Sequence, residues 1–252
     1  MILRLVKSAL IILAVSFYVL ANTSQAIAAK PVSEWNFWYT VTILPNTPYA
    51  YYNESLERTK GRIHFKTTMW KKEEGFINSE QLGVFSQDDS ELTPLFYNFH
   101  ATYRSTEISI DGNSEKGHMK VRIKRGQQEL PVMTRALPSK AFFASVFPLW
   151  LRRTLRNTPA DQVKSASQPF VAILEDNQDS GFSAENGRFQ VVSEDDFSKS
   201  TKSIRVQVDF NGQRSFWYLD QTGAPIRIEI PNQRTRVERV TEKQAKSFLQ
   251  TK

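Results

Sequence analysis

The 252-residue sequence contains no cysteine. That excludes disulfide frameworks, thiol nucleophiles, cysteine–zinc centres and the thioether lipid anchor of a bacterial lipoprotein. Glycine and proline are sparse, at 10 and 11 residues, which excludes collagen-like and low-complexity classes. After the N-terminal segment no apolar run approaches the roughly 20 residues of a membrane-spanning helix. No Walker loop, dinucleotide fingerprint, nucleophile elbow or H-E-x-x-H pair occurs, so neither a cofactor nor a metal is implied. Charge of one sign is not concentrated either. The net charge is +7, but Lys and Arg are scattered among acids along the chain. A nucleic-acid reader gathers its basic residues on one face, so nucleic acid is not an expected partner.

The first segment has the order of a secretory signal. Arg4 and Lys7 are followed by an apolar run at 9–21, a polar stretch at 22–25 and the cleavage pattern Ala26-Ile27-Ala28. The expectation is an exported, periplasmic protein cleaved after Ala28, with no lipid-anchor cysteine and no transmembrane span. Residues 29–252 are then read as a single β-rich domain.

Apolar residues alternate with polar ones through most of that domain. Trp35, Phe37, Tyr39, Val41 and Ile43 share one strand face. Ile63, Phe65, Thr67 and Met69 alternate with Arg62, His64, Lys66 and Thr68, and the run from Lys71 to Gly75 reads as a polar hairpin tip. Asp111-Gly112-Asn113 reads as a tight turn, and Asn211-Gly212 as a hairpin turn. The count is about a dozen strands, antiparallel because the links are too short for crossover helices. The pattern changes after Leu137. Phe142, Phe143, Val146, Phe147, Trp150, Leu151 and Leu155 fall at helical spacing. This predicts a helical insertion at about 139–157, capped by Ser139 and kinked or split at Pro148. A short C-terminal helix is expected at 242–249. The predicted fold is therefore mainly β: a large curved antiparallel sheet or half-barrel packed on an amphipathic aromatic helix.

Candidate chemistry is thin. His64, His100 and His118 occupy polar-facing strand positions without metal-ligand spacing. A calcium loop begun at Asp176 would place Gln178 at its third position and Gly187 at its twelfth, where a ligand and a glutamate belong, so Glu175–Gly181 reads as an acidic turn. Nothing selects a catalytic pair, and the reading is not an enzyme. The aromatic density is the distinctive feature. An apolar pocket could be walled by Trp35, Phe37 and Tyr39 and closed by a lid of Phe142, Phe143, Phe147 and Trp150.

Three stretches carry a resemblance: Trp70-Lys71-Lys72-Glu73-Glu74-Gly75-Phe76, Leu92-Thr93-Pro94-Leu95-Phe96, and the run from Phe216 to Glu229, in which a W-x-L-D phrase, a turn and P-x-R-I-E follow one another. Their order resembles a bacterial periplasmic domain family of unknown function. The architecture is also similar to the lipoprotein carriers LolA and LolB, whose incomplete barrel shelters acyl chains. This implies a binding protein that holds a lipid, acyl chain or lipoprotein on a concave apolar face, with basic residues at the rim. Two other readings stand beside it: an envelope structural or assembly protein that binds a protein or peptidoglycan partner through its surface, and a hydrolase of envelope polymers.

Overall fold

The structure is a computed structural model that describes residues 32–177 and 180–250, with side chains described from Asn36 onward. The signal segment with Ala26 and Ala28, and the side chain of Trp35, lie outside the described residues.

The first arm of the chain is a run of strands: β1 (Val32–Ile43), β2 (Thr47–Thr59), β3 (Arg62–Glu73), β4 (Phe76–Gln87), β5 (Pro94–Tyr103), β6 (Thr106–Glu115), β7 (His118–Arg125), β8 (Gln128–Glu129) and β9 (Met133–Ala136). The second arm holds β10 (Phe142–Phe143), helix α1 (Phe147–Asn157), β11 (Ser167–Leu174), β12 (Ser183–Val191), helix α2 (Asp196–Thr201), β13 (Ile204–Phe210), β14 (Gln213–Leu219), β15 (Pro225–Ile230), β16 (Thr235–Val240) and helix α3 (Glu242–Phe248). All 16 strands belong to one open, curved sheet, and its order runs β10 to β16, then β1 to β8, with β9 beside β7. From β1, in the middle of the sheet, one arm is built outward. The chain then crosses to the far edge and returns inward, so that β16 pairs with β1.

Every pairing is antiparallel except β10 with β11, which is parallel. Six of the hairpins, β2–β3, β3–β4, β5–β6, β6–β7, β7–β8 and β13–β14, join alternating segments through two turn residues. Asn211 and Gly212 both adopt positive φ, as this turn requires. Two turns depart from the sequence reading. Asp111-Gly112-Asn113 is not a turn: β6 runs straight through it, and the reversal comes at Lys116-Gly117. Gly112 instead gives the Tyr97 ring a place to lie, since a Cβ there would be 1.9 Å from Tyr97 Cε1. Lys71 to Glu73 still belong to β3, and the tip is only Glu74-Gly75.

The helical insertion is also shorter than predicted. Phe142 and Phe143 are extended and pair with Ala172 and Ile173. A 3-10 turn at Ala144–Val146 leads into α1, whose N-cap is Val146, not Ser139. Pro148 sits in the first turn, where its missing N–H costs nothing, so no kink follows. Helix α2 was not anticipated. Its signal is the reciprocal cap between Asp195 and Ser198. Among the described residues no helix is long and apolar enough to cross a membrane.

Candidate functional site on the concave face

Helix α1 lies against the inner face of the sheet, and four buried side chains of α1 and the short strand β10 are aromatic. Phe142, Phe143, Phe147 and Trp150 are all buried, the most open being Trp150 at 8%. Their ring centroids lie 4.9 Å apart for Phe142–Trp150, 5.0 Å for Phe147–Phe170 and 5.2 Å for Phe147–Trp217. Offset and edge contacts of this kind add to the area term. The two arms are tied together over the helix. Tyr97 Oη on β5 donates to the Gly181 carbonyl at 2.8 Å, and Arg153 on α1 bonds Asp88 and the Asp89 carbonyl in the β4–β5 loop.

The two expected wall residues whose side chains are described, Phe37 and Tyr39, are not part of that packing in the same way. Tyr39 is fully buried in a second, smaller cluster with Val41, Ala50, Tyr52, Ile228 and Val237. Phe37 is half-buried and touches both clusters, as does Trp217.

Register divides the inner face into transverse rows. One row runs Leu56, Phe65, Val84, Tyr97, Gly112 and Val121 across β2 to β7, and every member is buried. The next row runs Phe37, Glu54, Thr67, Leu82, Phe99, Ile110 and Ile123. Its last three members are buried, but Phe37, Glu54, Thr67 and Leu82 stay half-exposed. Met69, one row further, is half-exposed as well. The bowl is therefore closed along the Leu56–Val121 row and over β5 to β7, and it opens at Phe37, Glu54, Thr67, Leu82 and Met69 on β1 to β4.

The open half carries charge that the alternation hid. Glu54 lies between Phe37 and Thr67 on the neighbouring strands. Solvent touches it, yet it sits deep enough that burial alone pushes its carboxyl up to about 8, and no other group contributes to that shift. Further along, Lys71 Nζ lies 2.6 Å from Glu80 and 3.5 Å from Glu73. Tyr49 Oη and Asn78 Nδ2 each donate to Glu73 at 2.9 Å, and Tyr103 Oη donates to Glu80. Burial works against the Lys71 ammonium, but Glu80 overrides it and holds the lysine protonated. Asp176, in the turn after β11, is pushed up by burial and by the charge of Glu80, so the second arm reaches this network too. Beside the open row Glu54, Glu73 and Glu80 accompany two cations, Lys71 and the Arg239 guanidinium 4.6 Å from the Phe37 ring. Glu54, Lys71 and Glu80 were detectable as charges in phase with apolar residues of their own strands.

Other polar groups read as structural. Ser145 donates both its N–H (3.2 Å) and its hydroxyl (2.7 Å) to Glu175. Glu175 is buried, and burial pushes its carboxyl up to about 8 against those bonds. A carboxyl held protonated is a poor general base, and the pair clamps the turn before α1 to the end of β11. His64 stacks on Phe85 at 3.8 Å, and His118 is exposed. Among the described residues no three acidic or histidine side chains are placed to hold a metal. Outside the bowl, a groove of about 790 Å³ is lined by Val163, Val191 and Ile204 and flanked by Lys164, Lys199 and Lys202.

No family model, curated protein or solved structure matches the chain. The resemblances drawn from sequence therefore rest on the quoted motifs alone.

Proposed function

We propose that the protein is an exported, non-catalytic carrier that holds the apolar chain of a lipid or lipidated partner inside a half-barrel. Helix α1 and β10 close one half of that barrel, with Phe142, Phe143, Phe147 and Trp150 as the packing of the closed cover. The chain lies along the open half, against Phe37, Met69 and Leu82. The observation that supports this reading is the open row itself: apolar side chains on the inner face of a curved sheet remain in contact with water, one row away from a dry core. Covering them gains about 25 cal/mol per Å² of apolar surface removed from water. Few polar groups and a mostly preformed wall are the usual anatomy of such a site.

The test is native mass spectrometry on protein taken from the periplasm without detergent, followed by organic extraction. The expected intact chain begins at Ala29, and a co-purifying mass is lost in Leu82→Glu while thermal melting shows a retained fold. A bare chain that also fails to take up added phospholipid would sink the carrier reading.

The basic groove favours a second reading, docking to an anionic envelope partner. Charge reversal at Lys199 and Lys202 that abolished envelope association, with the concave face intact, would select it.

A further inference from the structure

The carrier reading leaves the polar end of the ligand undefined, and Glu54 bears on it. Among the described residues no hydrogen bond or ion pair reaches its carboxyl, while the other acids beside the open row are engaged: Glu73 by Tyr49, Asn78 and Lys71, and Glu80 by Lys71 and Tyr103. A carboxylate partly withdrawn from water and left without a partner is costly. Its surroundings are aromatic. Phe37 faces it across the β1 ladder, Tyr52 precedes it on the same inner face, and Tyr39 stacks on Tyr52 at 4.8 Å. Ring faces attract cations. Phe37 already shows this, with the Arg239 guanidinium 4.6 Å from its centroid.

On that reading, we propose that Glu54 anchors the polar end of the bound molecule and that this end is a primary amine, so the ligand class is an amine-bearing long-chain amphiphile. An ammonium would supply the missing donor and charge, and the flanking rings would complete a partly dry cation site. An acidic head group fits poorly, because Glu54, Glu73, Glu80 and Asp176 outnumber Lys71 and Arg239 beside the open row. Arg239 on β16 is committed to Asp220 at 2.8 Å, and Lys71 on β3 to Glu80, so neither is free to neutralise Glu54. A divalent metal is disfavoured by the single carboxylate. Binding of an ammonium favours the ionised carboxyl, so uptake near neutral pH would release a proton.

The experiment is isothermal titration of the exported chain with dodecylamine, dodecanol and dodecanoate at neutral pH, in two buffers of different ionisation enthalpy. The expected order is amine, then alcohol, then carboxylate. The amine should lead by about tenfold or more, as a charge-assisted hydrogen bond implies, with proton release seen only for the amine. In Glu54→Gln the amine should lose that lead and the proton release, while dodecanol binds as before. Dodecanol binding without an amine preference, or a preference that survives in Glu54→Gln, would overturn the anchor but spare the carrier reading. Failure of all three chains to bind would overturn both.

Discussion

Single residues in this chain take their roles from what lies across the sheet. Gly112 is the clearest case, since D-G-N between two apolar runs is a strong turn signal. Tertiary packing overrides it: the Tyr97 ring occupies the space above Gly112, and the Tyr97 hydroxyl then reaches Gly181. Gly112→Ala should displace Tyr97 and cost about 1–3 kcal/mol, as overpacking does. An unchanged urea midpoint would contradict that packing. Glu54 and Glu175 make a second prediction. Burial is the first cause in both and pushes each carboxyl up to about 8. A carboxyl whose pKa is higher folded than unfolded binds its proton more tightly in the native state. Its stabilising contribution is full below the unfolded value and is lost as pH rises through 8. Asp195 opposes this at low pH. Despite burial, Ser198, Tyr218 and Arg205 hold it down to about 2, so its contribution is lost as pH falls toward that value. Thermal stability should therefore peak in mildly acidic buffer and decline toward pH 9, and the decline should flatten in Glu54→Gln and Glu175→Gln.

At the scale of elements, the sequence showed types better than boundaries. Alternation was strong enough to mark the long strands, because one face is buried and the other wet. It could not separate β10 from α1. Phe142 and Phe143 suit either a helix face or a short buried strand, and only β11, far along the chain, decides between them. Inner-facing charges were missed for a similar reason. Lys71 and Glu73 look like a hairpin tip until the register with Asn78 and Phe76 is known. The helix itself holds the closed half together. Phe147 is 5% exposed and packs on Phe142, Trp150, Phe170 and Trp217. Truncating it to Ala should cost about 3–5 kcal/mol. A loss below about 1 kcal/mol in denaturant unfolding would mean that the helix is not packed as described.

The described residues form one sheet in which β1 pairs with β16 and helix α1 packs on the inner face. That topology could not be read from alternation, which says which residues face inward but not which strands adjoin. The candidate site was half legible for the same reason. The aromatic residues were visible in the sequence, and four of them form the dry cover. The open row beside them emerges only once register aligns Phe37, Glu54, Thr67 and Leu82 across β1 to β4. Methionine placement offers the most direct test of that division. Met69 lies half-exposed on the open inner face, Met119 is fully buried in the closed half, and Met133 sits on the edge strand β9. The measurement is an NMR titration of isotope-labelled methionine methyl groups with dodecanol. The expected result is a saturable shift of Met69, with Met119 and Met133 unmoved. An unmoved Met69, or a shift confined to Met133, would place the chain elsewhere and contradict a site on the open half of the concave face.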